Sequence, residues 1–419
     1  MIPRGAGTIR EVLVQSVCSA RIGIPVIARL LKRSLALLAI LVLLPYAASR
    51  VYQFPDPVRF AGSSLLNPYA NAPGAWQRAN FHAHGRAWNG LTNGRQSDQE
   101  IVDTYRSVGY TIPGVSNYQR IAAHQGIVTI PAYEHGYNIG KHHQLAIGAH
   151  AVDWFDFPLW QTLSDEQFVI DRVHAKADLV ALTHPSVRDA YSGNDLRQLT
   201  GYELLEVVNG WDVMEDSWDA ALSAGHLVWA LANDDTHDLT DRGHTLVAWN
   251  MIGAATTSTP DVVAALRSGR TFAVLRTGEQ PGPSDTIVPH VSVSDRTLVV
   301  TRDGAPSTFQ FVGQNGAIRK SVKHATSATY TFATNDPYMR TVIVSPDTTT
   351  FVNPVVRYDG FRTPAARAAV DPAGTWLARG AYVTAAGTAF TILVRRRTRP
   401  RRRIVMAPLE VPDARRKPA

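Results

Sequence analysis

Five short segments each place a metal-competent side chain at the edge of an apolar run. They are Asn80-Phe81-His82-Ala83-His84, Ile130-Pro131-Ala132-Tyr133-Glu134, His142-His143-Gln144-Leu145-Ala146-Ile147-Gly148, Ala181-Leu182-Thr183-His184-Pro185 and Leu231-Ala232-Asn233-Asp234-Asp235-Thr236-His237. Residues i and i+2 of a strand face one side, so His82 and His84 can grip one ion together, as can Asp235 and His237. Several imidazoles and two carboxylates gathered at one place would repel one another or lie desolvated unless a cation neutralised them. The only cysteine, Cys18, precedes all five segments. The ligands must therefore be His, Asp and Glu, which points to Zn, Mn or Fe rather than a thiolate site.

The elements that must position these residues can be read from the pattern between them. From about Ala79 to Ala273 short apolar runs alternate with helical stretches such as Ser97–Ser107 and Asp212–Ala224. That alternation predicts a parallel α/β architecture, whose strand ends converge on one mouth. From His290 to Val356 β-branched and polar residues alternate, with turn signals about every ten positions, which predicts a small antiparallel β-sandwich. Pro281-Gly282-Pro283-Ser284 reads as the linker between the two.

The joint pattern resembles the PHP (polymerase and histidinol phosphatase) family. That family opens on an HxH and ends a later strand on Glu. It begins another strand with His, then carries a Thr/Ala-His-Pro and closes on Asp-x-His. These features match His82/His84, Glu134, His143, His184 and Asp235/His237 over residues 77–275. Leu205-Glu206-Val207-Val208-Asn209 resembles the family's strand before its last helix, and Ala265-Leu266-Arg267-Ser268-Gly269-Arg270 its closing helix. Met339–Pro354 resembles the end of a β-sandwich found in some exported relatives.

The resemblance implies an α/β fold, a distorted (β/α)7 PHP-type barrel over 75–278 followed by a small antiparallel β-sandwich over 285–360. It also implies two divalent metal ions. His82, His84 and Asp235 would hold one, His143 and His184 the other, and Glu134 would bridge them. His237 would serve as a further ligand, touch substrate, or act as acid or base. His135, His142 and Asp234 are neighbours that could exchange roles with assigned ligands. Where the family has Thr-Asp-His, this chain has Ser116-Asn117-Tyr118. A third ion is accordingly not expected.

The expected activity is hydrolysis of a phosphate ester by a hydroxide activated between two ions. His237 is the candidate to protonate the leaving group, and Arg86 and Arg270 the candidates to contact phosphate, with Lys141 and Arg188 also near the motifs. Two rivals remain open. One is an amidohydrolase-like enzyme acting on C–N or C–O bonds. The other is a catalytically inactive envelope- or glycan-binding protein using Trp211, Trp218, Trp229 and Trp249.

Charge and the chain ends bear on partners and compartment. The net charge of +7 over 419 residues comes from the ends. Residues 51–394 carry 25 basic and 32 acidic side chains. An acidic body argues against a nucleic-acid-binding surface and leaves a phosphorylated small molecule or an envelope-derived compound as the expected substrate. The segment 34–50, uncharged from Ser34 to Ser49 and preceded by a basic segment 1–33 expected in the cytoplasm, reads as a membrane anchor or a signal peptide. A second span over 380–394, within a C-terminal segment 361–419 that ends in an Arg-rich tail, competes with a buried strand or helix. The expectation is thus a cell-membrane protein with its catalytic part outside the cytoplasm, or a secreted one.

Overall fold

The computed structural model describes residues 37–122, 130–278, 288–361 and 367–395, together with 27, 31, 34, 35 and 365. The 281–284 linker, most of the 1–33 segment and the tail beyond 395 lie outside the described residues.

The protein is a mixed α/β structure. Seven strands lead to the site: β1 (Gln77–Asn80), β2 (Ile112–Pro113), β3 (Ala132–His135), β4 (Gln144–Ala149), β5 (Ala177–Leu182), β6 (Leu204–Asn209) and β7 (Trp229–Asn233). Strands β3 to β7 pair in chain order within one sheet, and β1 pairs with β2 in another. Single parallel bridges, Ala83 to Thr236 and Tyr118 to Glu134, join the two sheets just beyond or at the carboxyl ends of their strands. The arrangement is not uniformly parallel, because β4 runs antiparallel to both β3 and β5. Alternation of apolar runs cannot report that reversal. It follows from the short connection between Glu134 and His143, which has no helix to carry the chain back.

Helices cover these strands for legible reasons. Ser97 and Glu100 close a capping box on α1 (Asp98–Ser107), and Thr162 and Asp165 close another on α2 (Leu163–His174). Each box satisfies backbone donors that the first turn would leave bare. Helix α3 (Glu215–Ser223) buries Trp218, and α4 (Thr259–Arg267) buries Val262, Val263, Ala265 and Leu266.

Four of the seven strands in the stretch expected to form the β-sandwich continue the β1 sheet. Its order runs β2-β1-β8-β9, where β8 is Ala248–Ile252 and β9 is Thr271–Arg276. Beyond β9 come four strands from the second half: Thr348–Tyr358, Tyr338–Val344, Ser307–Gly313 and Ala317–Ala325. Phe272 of β9 pairs with Val352, and Val274 with Thr350. A three-stranded sheet of His290–Ser294, Thr297–Thr301 and Ser327–Thr331 is separate from it. Val291, Leu298 and Val300 of that sheet share a core with Phe272, Phe309, Phe311 and Ile343 of the large one. Local alternation reveals each strand but not its partner, so the seam between the halves is invisible in the sequence.

The membrane expectation does not hold. Among the described residues, no helix is long and apolar enough to cross a membrane. The apolar run after Ser34 breaks at Pro45 into a 3-10 turn, Leu44–Ala48. There Tyr46 is buried, stacks 4.3 Å from Trp160 and donates its hydroxyl to the Trp160 carbonyl. The 380–394 segment lies within helix α5 (Pro372–Arg395), which folds back on this turn through Arg379 to the Ala48 and Ser49 carbonyls. Its Thr and Gly residues dilute the apolar character that a span needs. The expectation of a protein anchored at the cell membrane by a spanning helix is corrected accordingly.

Candidate metal centre

The backbone at the end of β1 runs beside the end of β7. Asp235 donates its amide to the His82 carbonyl and His84 to the Thr236 carbonyl, both at 2.9 Å. That pairing brings His82 and His84 face to face with Asp235. Glu134, from β3, is held opposite through its amide to Ser116 and its carbonyl to the Gln119 amide. His143 enters from the start of β4 and His184 from the end of β5. His184 and Asp235 adopt left-handed backbone, with φ of 31° and 50°. Such strain in non-glycine residues costs roughly 1–3 kcal/mol and tends to be kept at functional sites.

The side chains form two nests around Glu134. Its Oε1 lies 2.6 Å from His143 Nδ1 and 3.0 Å from His184 Nε2. Its Oε2 lies 3.1 Å from His84 Nε2 and 3.4 Å from His82 Nε2. Asp235 Oδ1 completes the second nest, 3.3 Å from His82 Nε2 and 3.1 Å from His84 Nε2. His237 joins at the edge, its ring stacked 4.4 Å from that of His84. Four overlapping groups of three ligand atoms are close enough to share an ion: His82/His84/Glu134, His82/His184/Asp235, His84/Asp235/His237 and Glu134/His143/His184. All seven residues expected as metal ligands are therefore brought together.

Charge and hydrogen bonding favour a cation here. Glu134 Oε2, Asp235 Oδ1 and His237 Nε2 are buried without a hydrogen-bond partner. Orphaned buried acceptors are rare and costly in folded proteins. His82 Nδ1 donates to Glu206 Oε1 at 2.8 Å, which turns the Nε2 lone pair inward. A carboxylate behind a ligating imidazole is a recurrent way to fix its tautomer. Burial raises the cost of every charge in this cluster. Even so, Asp235, Glu206 and Glu134 hold the His82 ring well above the usual histidine range. Burial would likewise raise the Glu134 carboxyl, but His143 and His82 hold it well below the usual carboxylate range. The donor set of imidazoles and carboxylates, with inward lone pairs and orphaned oxygens, fits divalent cations.

His237 behaves differently. Burial, followed by the neighbouring His84, pushes its pKa down to about 4. Its neutral form is thereby favoured, which suits a metal ligand. Tyr118 takes the place where the family pattern has a histidine. Its ring stacks on His84 at 4.4 Å and 17°.

The neighbours that could have exchanged roles are each occupied elsewhere. His135 contacts Gln144 and the Phe155 carbonyl through its two nitrogens. His142 faces Asn138 and Glu166. Asp234 accepts from the amides of Leu246, Val247 and Ala248 and from the Tyr105 hydroxyl.

Of the expected phosphate contacts, Arg270 is not brought to the site. It bonds to the Gly253 carbonyl and Ser268, beside the Gln77 to Ile252 pairing at the start of β1. His82 is five residues further along an extended chain, roughly 16 Å at about 3.3 Å per residue. Arg86 is exposed and bonds to the Arg95 carbonyl, and Arg188 bonds to the Ile139 carbonyl. Lys141 is the cation that approaches, with its ammonium 5.7 Å above the Tyr118 ring. Three of the tryptophans considered for glycan contact, Trp218, Trp229 and Trp249, are buried, while Trp211 is exposed and stacks on His244.

Sequence reasoning did not include Glu206 in the site. It is fully buried, bonds His82, receives the His184 amide at 3.0 Å and accepts from Asn209 and Asn233. The signal was present: a lone carboxylate inside the apolar run Leu204–Val208 must have a partner.

No protein-family model and no curated protein matches the chain. Among solved structures, it is similar to a two-domain protein from Bacteroides vulgatus ATCC 8482 described as containing a predicted PHP-like metal-dependent phosphoesterase. The identity is 15%, the match covers 77% of this chain and 99% of that one, and the TM-score is 0.38. The likeness is distant, and the functional reading rests on the side chains themselves.

Proposed function

We propose that the chain is a metal-dependent phosphoesterase of the PHP type, acting on a phosphorylated small molecule with two divalent ions, Zn, Mn or Fe. The observation that carries this reading is Glu134, whose two oxygens each face a different nest of histidines. A bridging carboxylate between two such nests is what a pair of ions a few ångströms apart would need. In the same reading, β1 to β7 form a distorted seven-stranded barrel completed by the bridges at Ala83 and Tyr118. When bound, such a pair supplies a more acidic water and stabilises the charge of the phosphoryl transition state.

The chain's own residues do the rest. Glu206 and Asn209 orient His82 and Asp235 from behind. Tyr118 and His237 clamp the His84 ring from its two faces. His237, whose Nε2 has no hydrogen-bond partner, would serve as a further ligand beside His84 and Asp235. Lys141 offers a cation for phosphate oxygens.

Metal quantification on purified protein, followed by a panel of phosphomono- and diesters after Mn or Zn loading, tests the reading. Two ions per chain and metal-dependent release of phosphate are expected, and Glu134→Gln should lose both. A panel inert on phosphoesters but active on amides or lactones would turn the reading toward an amidohydrolase. A chain retaining no stoichiometric metal would leave the non-catalytic binding reading.

A further inference from the structure

The indoles of Trp88 and Trp154 are both exposed, and they meet edge to face with centroids 5.6 Å apart at 70°. Single exposed aromatics are ordinary on a protein surface. These two line one cleft of about 500 Å³, within the range of small-molecule sites. The cleft also takes in Tyr118, Lys141 and His143. Its inner end thus opens on the histidine cluster, since Tyr118 stacks on His84 and His143 touches Glu134. The Trp88 indole N–H donates to the Tyr118 carbonyl at 2.8 Å, which fixes that wall.

A second observation points to a ligand. Gln119 lines the same cleft, is 5% exposed, and has neither its side-chain oxygen nor its nitrogen hydrogen-bonded. Its backbone is left-handed, with φ of 50°. A buried amide left without partners is costly in a folded protein and rare among native structures. A ligand that brings one donor and one acceptor side by side would satisfy both atoms.

We propose that this cleft is the alcohol subsite of the phosphoesterase and that it takes a phosphorylated pyranose. This rests on the phosphoester reading above. Two indoles inclined at 70° leave no parallel slot in which a planar base could be sandwiched. A pyranose lays its C–H face on one indole and turns vicinal hydroxyls, each both donor and acceptor, toward the Gln119 amide. Lys141 lines the same cleft as His143, with its ammonium 5.7 Å above the Tyr118 ring, and offers a cation to the ester's phosphate.

The test uses the full chain and has two arms. Glucose 6-phosphate titrated into EDTA-treated protein in a calorimeter should bind saturably. Trp154→Ala should remove most of the binding, Gln119→Ala weaken it, and Trp154→Phe, which keeps an aromatic face, retain it. With Mn added, Trp154→Ala should raise KM for glucose 6-phosphate about tenfold, leave kcat, and leave glycerol 3-phosphate within twofold. No saturable binding, binding unchanged in the variants, equal effects on both esters, or tighter use of adenosine monophosphate than of glucose 6-phosphate would overturn the subsite. Hydrolysis of glycerol 3-phosphate without any advantage for the sugar ester sinks the subsite and leaves the phosphoester reading standing. Trp154-dependent binding with neither ester hydrolysed supports the subsite and sinks the phosphoester reading.

Discussion

At the residue scale, the centre depends on carboxylates of two kinds. Glu134 and Asp235 face inward with unsatisfied oxygens, whereas Glu206 faces the back of His82 and is fully engaged. Replacing Glu206 by Gln keeps the shape and removes the charge that fixes the His82 tautomer. Loss of such an outer partner typically costs about 10–100-fold in metal affinity or activity. Glu206→Gln is therefore expected to retain its fold by circular dichroism while competing 10–100-fold less well with a chelator, roughly, for its metal. An unchanged chelator midpoint would remove Glu206 from the site. The ligands were legible because each ends or begins an apolar run, where a charged or imidazole side chain has no packing reason to be. Arg270 was misplaced because adjacency to a motif in sequence says nothing about which end of a strand it reaches. The Gln119 amide was not legible at all, since its significance lies in the partners it lacks.

At the element scale, helix α2 is tied to the start of β6 by His174, in its last turn, and Glu203, 2.8 Å apart. The hydrogen bond to Glu203 outweighs partial burial and raises the His174 pKa above 6.5. A cation at a helix carboxyl end is favoured by the helix dipole as well. A raised folded-state value means the folded protein binds the proton more tightly than the unfolded chain. The contribution is complete below about pH 6.5 and lost as pH rises through the folded-state value. His174→Gln should thus lower Tm relative to wild type at pH 5.5, with the gap closing by pH 8.5. A gap that is constant or widens with pH would show that packing, not charge, holds the helix end. Helix ends of this kind are readable in sequence, as the Ser97/Glu100 and Thr162/Asp165 boxes were. Strand direction was not: the reversal at β4 depends on a connection too short for a helix, and apolar runs look alike in either direction.

At the scale of the whole molecule, the two halves share one sheet and are riveted by one buried ion pair. Arg340, on the strand Tyr338–Val344, reaches Asp219 of α3 with two contacts of 2.8 and 2.6 Å and Glu215 with a third of 2.5 Å. Its guanidinium also lies 5.0 Å over the Trp218 ring. The sequence placed these residues in separate domains because no local pattern records a pairing 121 positions apart. Truncating one partner of a buried pair leaves the other charge uncompensated and costs about 3–5 kcal/mol, whereas replacing the pair by apolar residues is often close to neutral. Arg340→Ala should lower unfolding free energy by that amount. Arg340→Leu combined with Asp219→Leu should recover much of it, although the Tyr338 hydroxyl then loses its Asp219 acceptor. Because β9 is paired on one side with β8 and on the other with Thr348–Tyr358, neither half can unravel without baring an edge of the other. Arg340→Ala is therefore expected to shift a single calorimetric transition downward as a unit. Two separated transitions, with only the later-sequence half destabilised, would mean that the shared sheet does not couple the halves.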